Sequence, residues 1–208
     1  MKAIILAAGQ GTRLNKYTRA LPKGMLNFQG KTLIEYQINC MRSLGIDDII
    51  IVKGFMGYKI NYQGVEYCLN ENYASTNMVE SLFCALNKLE GDCIVTYSDI
   101  IYESSILGNV LNSNKNIGVV VDSDYKKYWK FRLGTSYKKD MESLKIRNNQ
   151  ITEIGNESPI ETECDARYVG IIKLSKEYNS IFKKYYEIFK SSKRVSRWGG
   201  RKFENWFM

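Results

Sequence analysis

Histidine is absent from the 208-residue chain. That removes every serine–histidine or cysteine–histidine triad, imidazole general bases and most catalytic zinc centres. Any chemistry must run on carboxylates, lysine, arginine, tyrosine, backbone donors and a hard cation. Phosphoryl-type transfer needs little more, because positioning and charge neutralisation carry most of its catalysis. Proline is scarce, at Pro22 and Pro159 only, and there are no internal repeats or low-complexity tracts. The five cysteines form no C-x-x-C pair and are odd in number, so they read as reduced thiols rather than disulfides or zinc ligands. No run of eighteen apolar residues occurs, and the Met1-Lys2 start leads straight into an apolar strand. The expectation is a soluble, cytoplasmic protein with no membrane insertion.

With 44% hydrophobic residues the chain can bury one ordinary core. A single domain over 1–208 is expected, with a first half over 1–122 and a second over 123–208. The net charge is +8 and uneven: ten Lys or Arg stand against two Glu between Lys173 and Lys202. Nucleic-acid binding is one reading of that bias. The stretch carries no nucleic-acid-binding motif, however, and its charges interleave with Tyr and Phe at helical spacing. A solvated helix face near an anionic substrate is the preferred reading, with no nucleic acid as partner.

Short apolar strands are expected at Ala3–Leu6, Ile49–Val52, Val65–Leu69, Cys93–Tyr97, Ile117–Val121 and Tyr168–Leu174. Thr32 with Glu35 forms a capping box that opens a helix over Leu33–Leu44, burying Ile34, Ile38 and Met41. Asn77 with Glu80 opens a second helix, with Met78, Leu82, Ala85 and Leu89 inward. This alternation predicts a three-layer α/β/α Rossmann-like domain with a mainly parallel mixed sheet. From Tyr125 to Ile154 the pattern changes to a small antiparallel excursion. Within it, Met141–Ile146 and Gln150–Ile154 are joined by a hairpin-type Asn148-Asn149 turn.

Ligands in such sheets sit beyond the strands' carboxyl ends, which directs attention to Ala7–Arg13, Gly54–Gly57, Asn70–Asn77 and Ser98–Ile100. Leu6, Ala7, Ala8, Gly9, Gly11 and Thr12 make a small-residue turn behind the first strand. Their size leaves backbone N–H groups uncovered for an anion, and Arg13 adds a permanent charge. A tight strand-to-helix turn with no ligand is the competing reading. The turn is neither a P-loop nor a full dinucleotide fingerprint, since Leu14 holds the third glycine position. Pro22 places Lys23 in the same loop as a second cation. Asp99 follows a strand end, where a carboxylate can hold a hard cation or simply close a turn.

The run Leu6-Ala7-Ala8-Gly9-Gln10-Gly11-Thr12-Arg13 with Pro22-Lys23 resembles the opening of the sugar-nucleotidyltransferase (nucleotidyltransferase A) family. Leu33–Tyr36, Val52-Lys53-Gly54 and Asp99 extend the resemblance over at least the first hundred residues. The resemblance implies a catalytic pair, Arg13 and Lys23, a triphosphate-binding loop backbone, and Mg²⁺ on Asp99. Ser98 stands where most relatives have glycine. The pattern Asn70-x-x-Tyr73-x-x-x-Asn77-x-x-x-Ser81-Leu82 is similar to the branch using CTP with small phosphorylated amines or amino acids. Amides and hydroxyls there suit the edge of a cytosine, although an ordinary polar loop accounts for them too.

Within that branch the resemblance implies CMP transfer from CTP to L-glutamine phosphate in capsular phosphoramidate assembly, with phosphocholine or aminoethylphosphonate as alternative acceptors. Tyr128, Trp129, Lys130 and Arg132 are candidates for the acceptor wall, by cation–π and charge contacts, or else belong to an exposed hairpin. The family's late second metal-binding aspartate is missing. Asp165 is a substitute, or the chain is shortened after Trp206-Phe207-Met208, which is the preferred expectation. Rival readings are a sugar-1-phosphate nucleotidyltransferase using UTP, dTTP or GTP, a nucleotide-binding module without turnover, and a basic nucleic-acid binder. The oligomeric state stays open, a homodimer included.

Overall fold

The computed structural model describes residues 1–11, 14–88, 90–157 and 163–191. Its first part runs β1 (Lys2–Ala7), α1 (Asn15–Thr18), β2 (Asn27–Phe28), β3 (Lys31–Thr32) and α2 (Leu33–Ser43). There follow β4 (Ile49–Lys53), β5 (Glu66–Leu69), α3 (Met78–Phe83), β6 (Cys93–Tyr97) and α4 (Ser104–Leu111). The chain continues through β7 (Ile117–Asp122), α5 (Tyr125–Leu133), β8 (Glu142–Arg147), β9 (Gln150–Glu157), β10 (Arg167–Leu174) and α6 (Lys176–Ser191).

All six expected strands enter one sheet in the order β5-β4-β1-β6-β10-β7. β1 pairs in parallel with both β4 and β6, and β4 in parallel with β5, while β10 runs antiparallel to β6. The sheet is therefore mainly parallel and mixed. Its central strands read as unbroken apolar runs because both faces are covered. Ile4, Ile50, Val52, Cys93 and Val95 share one core cluster with Leu82 and Ala85 of the α3 region. Fully burying an isoleucine of this kind is worth about 1.5–3 kcal/mol.

The Thr32 hydroxyl accepts the Glu35 N–H at 3.1 Å and starts α2, whose Ile34, Ile38 and Met41 are buried as the periodicity predicts. A cap of this type is worth about 1 kcal/mol. Asn77 caps α3 by accepting the Val79 N–H at 2.9 Å. That helix is shorter than its sequence pattern: it ends at Phe83 and gives way to a 3₁₀ turn over Leu86–Lys88. Leu89, expected on its inner face, lies outside the described residues.

Two compact units are present, one made of Met1–Gly118 with the chain from Gly170, the other of Val119–Val169. In the second unit, β8 and β9 form the expected hairpin. Asn148 and Asn149 both take positive φ, 51° and 58°, the geometry of a tight hairpin turn. The residues before it are not strand but the helix α5, which corrects the extended reading of Tyr125–Arg132. Packing decides this: Tyr125, Tyr137, Met141 and Cys164 form a small core against which Trp129 and Leu133 lie. Tyr125, Trp129 and Leu133 are spaced by four, one above another on a helix.

All five cysteines are thiols. Burial pushes the Cys93 thiol up to about 11. Among the described residues no helix is long and apolar enough to cross a membrane.

Candidate functional site

β1 delivers the chain into Ala8, which is buried, and Gly9, which is exposed. Among the described residues, a methyl group added at Gly9 would meet nothing within 4 Å, so the backbone there is open toward them. Gly11 has φ +66° and turns the chain. Its carbonyl accepts the Leu14 N–H at 3.0 Å and the Thr18 hydroxyl at 2.9 Å, which fixes the turn. A Cβ at Gly11 would come within 3.2 Å of the Lys23 Cβ, so the glycine turn packs directly on the Lys23 stem. Thr12 and Arg13 lie outside the described residues.

Pro22 is extended and Lys23 opens a short 3₁₀ turn, Lys23–Met25. The Lys23 ammonium donates to the Asp99 carboxylate across 76 positions of sequence, and both side chains are about one-third exposed. Two features bring them together. The Ser98 N–H donates to the Leu6 carbonyl at 3.1 Å, tying the ends of β6 and β1. Gly24 has no side chain where one would sit 2.8 Å from both the Ser98 Cβ and the Ile34 side chain. Only glycine lets the Pro22-Lys23 turn lie this close to Ser98-Asp99. The result is a cation and a carboxylate in contact beside the glycine turn, at the carboxyl ends of the parallel strands β1 and β6.

The segment after β5 is held by its own side chains. Asn70 is buried, its amide donating to the Thr76 hydroxyl at 3.1 Å and the Ser81 hydroxyl at 3.0 Å, while its oxygen accepts the Asn72 N–H at 3.0 Å. The Ser81 hydroxyl donates in turn to the Asn77 carbonyl at 3.2 Å. Asn70 and Ser81 thus shape the loop from within. The Asn77 amide nitrogen differs: it is buried and has no hydrogen-bond partner among the described residues. A buried donor in that state is unusual and is satisfied once an acceptor reaches it.

Gly54 joins this segment to the glycine loop. A Cβ there would lie 2.7 Å from the Ala8 carbonyl oxygen and 2.8 Å from the Cβ atoms of Ala8 and Tyr73. The neighbouring Phe55 N–H donates to that same Ala8 carbonyl at 3.0 Å. Tyr73 meets Phe55 edge to face at 6.2 Å, and both line a cleft of about 690 Å³ with Lys53 and Tyr67. α3 is braced from behind by α6. The Tyr186 ring stacks on Phe83 at 3.5 Å and its hydroxyl donates to the Glu80 carboxylate at 2.5 Å. Burial, with the carboxylate beside it, pushes that hydroxyl well above the usual tyrosine range.

Tyr128, Trp129, Lys130 and Arg132 all lie on α5 in the second unit. Trp129 carries the Arg132 and Arg167 guanidinium groups at 5.4 and 4.3 Å from its ring, and Lys130 lies 5.3 Å from the Tyr137 ring. Asp165 accepts the Ile146 N–H at 2.8 Å and pairs with Arg147 at 3.5 Å, which pins the hairpin. Sequence reasoning overlooked Gly24 as a site residue and gave Gly54 no physical role. The signal for both was a glycine directly after a cation, Lys23-Gly24 and Lys53-Gly54.

Residues 3–145 match the family model described as the MobA-like NTP transferase domain. The chain is 32% identical, over its whole length and 85% of the relative, to the CTP:phosphoglutamine cytidylyltransferase of Campylobacter jejuni. It is 33% identical to the choline-phosphate cytidylyltransferase of Streptococcus pneumoniae, over 66% of this chain and 61% of that protein. The fold is similar to that of the inositol-1-phosphate CTP transferase from T. maritima, with TM-score 0.69, 20% identity and coverage of 88% of this chain and 74% of that one.

Proposed function

The chain belongs to the MobA-like NTP transferase domain family and is a nucleotidyltransferase, and from that premise we propose that it transfers CMP from CTP to a small phosphorylated acceptor. Our reading names L-glutamine phosphate as that acceptor, in cytoplasmic capsular phosphoramidate assembly. The observation that carries it is the contact of Lys23 with Asp99 beside the open Gly9–Gly11 backbone. The choice of CTP is supported by the full-length likeness to a cytidylyltransferase of a phosphorylated amino acid.

In this reading an acceptor phosphate oxygen attacks the α-phosphorus of CTP. The bond from that phosphorus to the bridging oxygen breaks, and pyrophosphate leaves with the electron pair. No general base is needed, because the nucleophile is already an anion, in keeping with a chain without histidine. Arg13 and Lys23 neutralise charge at the phosphates. The backbone of Leu6 through Thr12 holds the triphosphate, and Asn70, Tyr73, Asn77 and Ser81 build the nucleoside wall. Asn77 supplies the buried amide that lacks an acceptor among the described residues. Tyr128, Trp129, Lys130 and Arg132, in the half over 123–208, contact the acceptor.

Mg²⁺ suits the residues present. This ion is ordinarily held by one or two carboxylates, with substrate phosphates and water completing its shell. The described residues offer no group of three metal-binding side chains, and Asp99 supplies one accessible carboxylate beside the phosphate-binding backbone. When bound, Mg²⁺ would add positive charge against the phosphate oxygens. The test is pyrophosphate release with CTP and a panel of L-glutamine phosphate, phosphocholine, aminoethylphosphonate and sugar 1-phosphates. L-glutamine phosphate is expected to give the highest kcat/KM; release with sugar 1-phosphates alone would overturn the assignment.

A further inference from the structure

Gln37 is a polar residue on the buried stripe of α2, flanked by Ile34, Ile38 and Met41 and only 1% exposed. Such a position ordinarily holds an aliphatic side chain, and a buried amide there must satisfy every donor it carries. Gln37 does so entirely against one turn. Its amide nitrogen donates to the Tyr97 carbonyl at 2.8 Å and to the Ile100 carbonyl at 2.9 Å. Its oxygen accepts the Thr96 hydroxyl at 2.7 Å. Two carbonyl acceptors on one side fix which end of the amide is nitrogen, so the orientation is set by the bonding pattern.

The two carbonyls stand on either side of Ser98-Asp99. One amide group therefore grips the backbone two residues before and one residue after Asp99, whose carboxylate meets Lys23. Ser98 is separately held by its N–H to Leu6 and by the close approach of Gly24. Gln37 holds both carbonyls through a single side-chain nitrogen.

We propose that Gln37 is a positioning residue for the Asp99 carboxylate, acting through the backbone of the Tyr97–Ile100 turn, so that metal binding with nucleotide depends on its side-chain amide. This rests on the reading of Asp99 as the metal-binding carboxylate. Groups that orient a metal ligand typically change affinity or activity about 10- to 100-fold when lost.

The test uses Mn²⁺ as the probe ion, its free fraction followed by electron paramagnetic resonance with CTP present, alongside steady-state turnover. Gln37→Met keeps the length and removes both donors; Gln37→Glu keeps an acceptor for Thr96 and serves if the methionine variant does not fold. Either variant should weaken Mn²⁺ binding about 10-fold or more. The kcat should fall in parallel while KM for CTP stays within about twofold. Thr96→Val, which leaves the two carbonyl bonds in place, should shift Mn²⁺ binding far less. A lower melting temperature with Mn²⁺ binding and kcat unchanged would make Gln37 a packing residue and overturn the inference. Asp99→Asn in the same assay separates the two ideas. If it loses Mn²⁺ while the Gln37 variants keep it, only the positioning role fails. If Asp99→Asn binds Mn²⁺ as the parent does, the metal reading fails and the inference with it.

Discussion

Replacing Gly54 with alanine tests how the candidate site is assembled. The new methyl group would lie 2.7 Å from the Ala8 carbonyl oxygen and 2.8 Å from the Cβ atoms of Ala8 and Tyr73. These are backbone or Cβ atoms, which cannot swing aside as the end of a long side chain does. The glycine loop and the Asn70–Asn77 segment must therefore move apart. Overpacking of this kind costs about 1–3 kcal/mol, and in a chain of this length that corresponds to a fall of about 2–12 °C in melting temperature. A displacement of about 1 Å in groups that position a substrate can lower turnover about 100-fold, so kcat/KM for CTP should fall by about 10-fold or more. Gly9→Ala is the control, because its methyl group meets nothing within 4 Å among the described residues. It should leave the melting temperature within about 1 °C, since no packed neighbour must move, yet lower kcat/KM where the triphosphate lies against that backbone. Differential scanning fluorimetry and a coupled pyrophosphate assay give both quantities. An unchanged melting temperature and kcat/KM in Gly54→Ala would refute the reasoning.

The charged groups give a second prediction: Arg13→Ala and Asp99→Asn should each lower kcat by about 100- to 1,000-fold with unchanged circular dichroism, and near-normal turnover in either would remove that residue from the mechanism. In the hairpin, Asn149→Ala should destabilise by about 1–2 kcal/mol, because alanine tolerates a φ of 58° poorly, whereas Asn149→Gly should not; chemical denaturation decides between them. Thiol labelling at pH 8 should modify exposed Cys84 at once and Cys93 only on unfolding, because burial holds the Cys93 thiol protonated up to about pH 11. A Cys93 that reacts as fast as Cys84 would contradict its burial.

The sheet was legible because its strands are short apolar runs bounded by turn residues, and that signal survives without knowledge of neighbours. The α2 cap and the Asn148-Asn149 turn were legible for a related reason, since both depend on residues within one turn of each other. α5 was not. Its apolar stripe is short, Phe131 is almost fully exposed, and three of its nine residues are lysines. What makes it a helix is the Tyr125, Tyr137, Met141 and Cys164 core, whose members are far apart in sequence. α3 also ends before its helical pattern does, at Phe83, with a 3₁₀ turn following over Leu86–Lys88.

In the candidate site, Lys23 and Asp99 were each chosen from their position after a strand, and the structure puts them in contact. Gly24 escaped notice, and Gly54 was named without a physical role, because their importance lies in atoms that are missing, facing partners distant in sequence. Gln37 left a visible signal, a lone amide on an apolar helical stripe, although only the structure shows that it grips the Asp99 turn. Asn70 and Ser81 sit in the expected loop, where they bind its other side chains and backbone.

The most direct test of the central claim is phosphorus-31 nuclear magnetic resonance of the protein incubated with Mg²⁺, CTP and L-glutamine phosphate. The account predicts loss of the CTP β-phosphate signal, appearance of pyrophosphate and a new pair of coupled diphosphate resonances from a CMP-bearing product. Unchanged CTP with every phosphorylated acceptor, or turnover confined to UTP, dTTP or GTP with a sugar 1-phosphate, would contradict it.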